Sequence, residues 1–207
     1  MSYTLYDGSI ATAQDNLTSL KAILKKAEAA PNAASLPDAR IHEDMLPLSF
    51  QVHVVSDIAQ KMVARSTGAE PQKLENDLKT FDDFYKRIDQ VQELLTKTDK
   101  EVVNKRVGDL VPIGLGPGKN AELPSHAYVT GYAIPNLFFH LVTAYNILRK
   151  EGVPLGKMDY LTPFIGKHVS EIESSKLSFG SPDSIAPSVA SIEQSTNKDM
   201  AGTHTNP

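Results

Sequence analysis

The sequence predicts an all-α protein, an antiparallel up-and-down four-helix bundle with a small hairpin or loop excursion between helices 3 and 4. Four segments, near residues 8–30, 46–67, 80–97 and 125–150, carry apolar residues three and four positions apart, which places them on one face of a helix. Four such amphipathic segments joined by modest connections suit a bundle. An alternating β/α fold is not favoured, because only one weak pair of strands is indicated.

The first two segments have clear ends. The apolar positions of the first are Ile10, Ala13, Leu17, Leu20 and Leu24, and Pro31 ends it because proline cannot donate the next helical hydrogen bond. Residues 31–45 are expected to be a connection. The second segment starts near Leu46 or Pro47, with a predicted core ladder of Phe50, Val54, Ile58 and Met62 and with Val55 and Ala59 alongside. Gly68 is expected to stop it.

The third segment has the clearest rhythm: Leu74, Leu78, Phe81, Phe84, Ile88, Val91 and Leu95. Thr80 followed by Asp83 predicts a capping box at its start. The fourth repeats the spacing with Ile134, Leu137, Leu141, Ala144 and Leu148. Pro135 lies inside this pattern and predicts either a kink or the end of one helix and the start of another.

Residues 100–124 interrupt the helical pattern. They contain β-branched residues and a glycine-rich run at 114–118, which indicate a small hairpin or Ω-like excursion. Gly-Leu-Gly-Pro-Gly-Lys also suggests a phosphate-binding loop, but that loop requires Ser or Thr after the lysine. Asn120 follows Lys119 instead, so a turn is favoured.

The predicted domain organisation is a bundle domain at residues 1–162 and a C-terminal extension at 163–207. From about residue 177 the extension is rich in Ser, Pro, Asn and Thr, a composition typical of a largely disordered tail. We expect its removal to leave folding intact.

Composition narrows the function. The 207 residues include no cysteine, which excludes a disulfide scaffold and thiolate chemistry, and the formal net charge of −4 makes nucleic acid a poor partner. No apolar run approaches the roughly 20 residues that span a bilayer. The N-terminal residues lack the pattern of a signal peptide. A cytoplasmic protein without a membrane partner is therefore predicted.

The fourth segment also carries a distinctive motif, Ile-Pro-Asn-Leu-Phe-Phe-His-Leu-Val-Thr-Ala-Tyr-Asn-Ile-Leu-Arg at 134–149, continued by Gly-Val-Pro-Leu-Gly-Lys at 152–157. With Asp-Met-Leu-Pro at 44–47 and Phe50-Gln51, it resembles an uncharacterised bacterial and fungal domain-of-unknown-function family grouped with the DinB-like metalloenzymes. The resemblance covers roughly residues 3–162. It implies an up-and-down four-helix bundle, often paired into a homodimer through bundle faces.

In metal-binding members of that wider group, three histidines from two helices hold a divalent ion, and some members are thiol transferases or hydrolases. The resemblance implies two histidines one turn apart on the last bundle helix and one on the second. His140 fits the first position, but Ala144 stands one turn later. We therefore expect no metal cofactor. If a metal does bind, the candidate ligands are His53 and His140.

A candidate site follows from spacing on the fourth helix, where Asn136 and Thr143 share a flank with His140. We predict a polar pocket between the second and fourth helices, with His140 as the candidate catalytic residue because imidazole can serve as a general base or ligand. The candidate substrate-binding residues are Gln51, Tyr132, Asn136, Thr143 and Tyr145. The same residues would equally suit a buried hydrogen-bond network that sets helix register.

Several functions remain open at this point. The main one is a small-molecule-binding bundle that acts as a transferase, lyase or isomerase around His140. The alternatives are a ligand-binding or stress-response module without chemistry, a structural dimeric bundle, and a DinB-like metal-dependent transferase or hydrolase. A homodimer is also predicted, because the rings of Phe138 and Phe139 cannot both reach the core face of their helix.

Overall fold

The computed structural model describes residues 2–114 and 116–173, with side chains described as far as residue 169. It confirms the predicted four-helix bundle with a hairpin excursion. Its elements in chain order are α1 (Thr12–Glu28), α2 (Leu48–Thr67), α3 (Phe81–Thr96), α4 (Lys100–Lys105), β1 (Leu110–Gly114), β2 (Asn120–Pro124), α5 (Ser125–Tyr128), α6 (Ile134–Lys150) and α7 (Lys157–Glu173). The bundle helices are α1, α2, α3 and α6.

The helix ends follow local rules. The Thr80 hydroxyl accepts from the Asp83 N–H, and the Asp83 carboxylate accepts from the Thr80 N–H, so the predicted capping box starts α3. Gly68 ends α2 in the left-handed conformation, with φ of 79°, which glycine adopts without steric strain.

Hydrogen bonds between helices set two antiparallel pairs. Gln92 near the end of α3 bonds to the Gln14 carbonyl near the start of α1, and Tyr85 near the start of α3 bonds to Glu28 at the end of α1. Likewise, α2 and α6 touch through His140 with Gln51 and through Arg65 with Tyr128, just before α6. The first pair is therefore α1 with α3, and the second is α2 with α6.

The remaining neighbours run parallel. A π-helical turn before α1 (Asp7–Ala11) contacts another before α6 (Val129–Ala133), and Asn32 beyond α1 bonds to the Glu151 carbonyl beyond α6. Along the chain the helices therefore run up, down, down and up, which differs from the alternating order of the predicted up-and-down bundle, and α1 lies diagonally across the bundle from α2. Residues 68–80 lead the chain back along the bundle to the start of α3. When extended, this segment can span about 45 Å, which exceeds the length of α2, about 30 Å.

The core lies between the four helices. The predicted apolar positions of α1 and α3 and most of those of α6 are buried. In α2 the prediction is partly wrong, because Phe50 and Val54 are half-buried, whereas Leu48 and Val52, which were not predicted, are fully buried. This helix carries apolar residues on more than one face, so spacing alone does not decide which face packs inward.

The excursion consists of α4 and the hairpin. β1 pairs antiparallel with β2, with Leu110 opposite Pro124 and Gly114 opposite Asn120. The β-branched residues Val102 and Val103 lie in α4 rather than in a strand, because the Asp99 carboxylate caps a helical turn there.

Pro135 lies in the first turn of α6 without breaking the path of the chain. The preceding turn is π-helical, and the Ile134 N–H donates to the Val129 carbonyl five residues earlier. This wider turn adjusts the hydrogen-bond ladder just before the proline, which cannot donate. The predicted irregularity is therefore present as a π-helical turn.

The bundle unit extends to Lys167, and α7 crosses residue 162, where the sequence analysis ended the bundle domain. The division into domains stays a prediction. The tail expected to be disordered from about residue 177 lies outside the described residues. Within the described ranges, no helix combines the length and apolar character needed to span a membrane.

Candidate functional site

The centre of the candidate site is a hydrogen bond between α2 and α6. Gln51, which is 3% exposed, places its side-chain oxygen 2.7 Å from Nδ1 of His140. Its amide nitrogen donates to the Leu46 carbonyl at 2.9 Å. Because a carbonyl oxygen can only accept, this second bond shows which end of the Gln51 amide is the nitrogen and which is the oxygen. His140 must therefore carry its proton on Nδ1, which leaves Nε2 of the neutral ring as an acceptor.

The environment of His140 favours this neutral form. Burial lowers the pKa of His140 below its ordinary value, because the imidazolium loses hydration in the protein interior. A neutral imidazole with a free Nε2 can accept a hydrogen bond or take up a proton.

Phe50 lies between two histidines. Its ring centroid is 6.3 Å from that of His140 and 6.2 Å from that of His53. Nδ1 of His53 faces Nη1 of Arg87 at 3.4 Å, and a guanidinium can only donate, so neutral His53 carries its proton on Nε2. Burial is the main cause that lowers the pKa of His53, and Arg87 adds to it while Asp57 opposes it.

Two predicted residues lie on the same helix as His140. Asn136 is half-buried one turn before His140, and its side-chain amide bonds to none of the described residues. Thr143 is buried and uses its hydroxyl on the Phe139 carbonyl at 2.7 Å. Asn136 is thus available to a ligand, whereas the Thr143 hydroxyl is already engaged.

The two predicted tyrosines have other contacts. Tyr132 stacks on Tyr128 at 5.9 Å between ring centroids. The Tyr145 hydroxyl donates to the Leu155 carbonyl at 3.4 Å, and its ring meets the edge of Tyr160 in α7. Neither hydroxyl bonds to Gln51 or His140. The structure therefore brings Gln51 and His140 together and directs the tyrosines elsewhere.

The residues present do not fit the three-histidine metal site of the wider group. Nδ1 of His140 is bound to Gln51, and Nδ1 of His53 faces the cationic Arg87. In the ranges that the structure describes, no three His, Asp or Glu side chains are grouped as a metal ion would require. The expectation of no metal cofactor stays a prediction.

Comparison with known proteins places the chain in a family. The model of a family described as a domain of unknown function, DUF1993, matches residues 5–161. The chain belongs to the DUF1993 family. The resemblance inferred from the motif of the fourth helix is thereby confirmed.

A solved structure supports the wider relationship of this DUF1993 chain. The crystal structure of a DinB family member protein from Shewanella denitrificans is 34% identical to it and has a TM-score of 0.68. The match covers 76% of this chain and 91% of that chain. The comparison with curated proteins finds no match.

Sequence reasoning missed two residues of this candidate site, Phe50 and Arg87. Phe50 was assigned to the core, although its position three residues before His53 places both on one helical flank. Arg87 of α3 is not among the residues that the sequence analysis singles out. No local signal pairs it with His53, because that contact depends on α3 packing beside α2.

Proposed function

We propose that α2 and α6 form a groove in this DUF1993 protein that binds a small polar molecule, and that His140 acts there as a hydrogen-bond acceptor and general base without a metal. The hydrogen bond from His140 to Gln51 carries this proposal. It directs the proton to Nδ1 and leaves the Nε2 lone pair for a ligand. The preference for the neutral ring supports the same role.

The proposed chemistry begins with proton transfer to Nε2 from a hydroxyl, amide or activated C–H group of the ligand. The Gln51 oxygen then accepts a stronger hydrogen bond from the imidazolium that forms. Asn136 offers its side-chain amide one turn away, and Phe50 provides an apolar surface. Many isomerase, lyase and transferase reactions include such a step.

A ligand-binding or stress-response module would use the same groove without proton transfer. The side-chain amide of Asn136, which bonds to none of the described residues, supports binding of either kind. A substrate converted by the unaltered protein, and not by a variant that still binds it, separates the enzyme from the module.

The first experiment tests the state of His140 with diethyl pyrocarbonate, which modifies unprotonated imidazole nitrogens. At slightly acidic pH we expect His140 to be labelled, because its lowered pKa keeps the ring unprotonated, and the exposed His42 shows that the reagent is active. Mass spectrometry of peptides locates the label. If His140 stays unlabelled while His42 reacts, the proposed acceptor is not available.

The second experiment screens small hydroxy acids, amides and thiols by saturation-transfer NMR against the full chain. We expect binding to be lost in His140→Ala and kept in the matched control His42→Ala, with both variants folded by circular dichroism. Fragments that bind His140→Ala equally well would contradict the proposal. Stoichiometric zinc in the purified protein, lost in His140→Ala, would contradict its metal-free part.

A further inference from the structure

A second candidate site lies at the other end of α2, beside the hairpin. An open cleft of about 610 Å³ is lined there by Arg65 of α2 and by Pro112, Ile113, Gly114, Asn120, Ala121 and Glu122. Arg65 lies fourteen residues beyond Gln51, about 21 Å along the helix axis. The cleft is therefore separate from the groove proposed at His140.

Tyr128 holds the Arg65 side chain in place. Nη1 of Arg65 donates to the Tyr128 hydroxyl at 3.0 Å, and the guanidinium carbon lies 5.0 Å from the centre of the same ring. Burial raises the pKa of Tyr128, so its hydroxyl stays neutral. The tyrosine thus orients the guanidinium without neutralising its charge.

The charge of Arg65 is not balanced within the described part of the chain. Arg65 forms no ion pair with residues 2–114 or 116–169, and its Nε is buried without a hydrogen-bond partner. By contrast, Arg87 pairs with Asp77 at 3.3 Å and Arg106 with Asp109 at 3.2 Å. A partly buried cation loses hydration, and without a counter-charge no ion pair offsets this loss.

We propose that this cleft binds a small oxyanion, a carboxylate or a phosphate group, on Arg65. A guanidinium is planar and binds two oxygens of such a group in parallel, and Tyr128 uses only Nη1. The exposed Asn120 side chain in the wall of the cleft offers an additional amide donor.

The walls also limit the ligand. Glu122 contributes a carboxylate to the cleft and disfavours an ion with several negative charges. Pro112, Ile113 and Ala121 supply apolar surface. These features fit a small monoanion with a short apolar part. Glu122 is itself a competing occupant, because its carboxylate would pair with Arg65 if the side chain turned inward.

The experiment titrates the full chain with sodium phosphate and, separately, with sodium butyrate, and follows the Arg65 Nε–H signal in ¹H–¹⁵N NMR. We expect a saturable shift with at least one of the two anions, and the stronger of them identifies the class of ligand. Thermal midpoints of the same samples, compared with sodium chloride at equal ionic strength, report binding independently.

The variants are Arg65→Gln, Arg65→Lys and Glu122→Gln, with Arg149→Gln as the matched control. Like Arg65, Arg149 lies in the last turn of a bundle helix. It donates to the Val153 carbonyl, and it does not line the cleft. We expect Arg65→Gln to lose about tenfold or more in anion affinity, and Arg149→Gln to bind normally. If Arg65→Gln does not fold, Arg65→Lys is measured in its place. It should also bind the anion more weakly than the unaltered protein does.

Three results would overturn the proposal. One is the absence of a saturable shift with either anion. Another is equal affinity in the Arg65 variants and the unaltered protein. The third is binding that occurs only in Glu122→Gln, which would show that Glu122 is the native partner of Arg65. Because His140 lies in the other groove, His140→Ala should keep anion binding, which separates this proposal from the preceding one.

Discussion

At the scale of single residues, the two histidines beside Phe50 present opposite hydrogen-bonding groups. The contacts of Nδ1 with Gln51 and Arg87 determine which ring nitrogen carries the proton. His140 therefore offers an acceptor at Nε2, and His53 offers a donor at Nε2. A ligand that contacts both therefore needs a donor on one side and an acceptor on the other. Neither histidine has to change its charge to bind such a molecule.

The lowered pKa of His140 predicts how stability depends on pH. The unfolded chain takes up a proton as pH falls through the ordinary value of 6.5, whereas the folded chain resists until lower pH. Unfolding therefore becomes easier as pH falls through this window, and the effect levels off below the folded pKa. We expect His140→Gln to lose less stability on acidification than the unaltered protein in urea titrations. Equal losses would show that His140 does not contribute, since His53 is present in both proteins.

The fully buried Asn16 of α1 predicts a stabilising substitution. Both polar atoms of its amide lack a hydrogen-bond partner among the described residues. Leucine has a similar branched shape, so we expect Asn16→Leu to raise the free energy of unfolding by about 1–3 kcal/mol. The control is Ser19→Ala, which removes a buried hydroxyl bonded to the Tyr160 carbonyl and should destabilise. A loss of stability in Asn16→Leu would indicate that the amide is satisfied by bound water.

At the scale of elements, a buried side chain of α2 binds the long connection between α2 and α3. Gln60 of α2 is 2% exposed, accepts from the Gln72 N–H at 3.1 Å and donates to the Gln72 carbonyl at 2.9 Å. The amide thus binds both backbone groups of one residue, as a neighbouring strand would. This contact helps to keep residues 68–80 against the bundle.

We expect Gln60→Ala to lower the free energy of unfolding by about 1–3 kcal/mol, since two hydrogen bonds are lost together. Hydrogen exchange at the Gln72 amide should accelerate more than the global loss of stability requires. The control is Gln90→Ala, an exposed glutamine of α3. Unchanged exchange at Gln72 would mean that other contacts hold the connection.

At the scale of the whole molecule, the two neighbouring phenylalanines have different environments. Phe138 packs on Phe164 of α7, with 5.6 Å between ring centroids, so its ring is partly covered by the same chain. Phe139 is 59% exposed, and Val142 on the same side of α6 is 41% exposed. The argument for a homodimer thus depends on Phe139 rather than on both rings.

The homodimer remains a prediction with a direct measurement. We expect light scattering to give twice the mass of one chain, and Phe139→Ser to shift the protein toward monomer because burial of an aromatic ring is lost. Val107→Ser, which alters an exposed apolar residue near the hairpin, should leave the mass unchanged. A monomer mass for the unaltered protein at micromolar concentration would contradict the prediction.

Local patterns predicted much of the fold and part of the site. The capping box at Thr80 and the stop at Gly68 are short-range features, and both are present. Asn136 and His140 share a flank because they are four residues apart on one helix. Tyr132 and Tyr145 could not be placed this way, since their partners Tyr128 and Tyr160 are determined by helix packing and by the path of α7.

By itself the sequence determined that this protein has four bundle helices, a hairpin between the last two and a place in its family, because periodicity, caps and motifs act over a few residues. Tertiary structure alone decided that α2 lies between α3 and α6. Only that arrangement brings together Gln51 and His140, which are 89 positions apart, and Arg65 and Tyr128, which are 63 apart. The physical reason is that an apolar stripe specifies which face of a helix is buried but not which helix covers it. That choice depends on the connections and on the fit of all four helices at once.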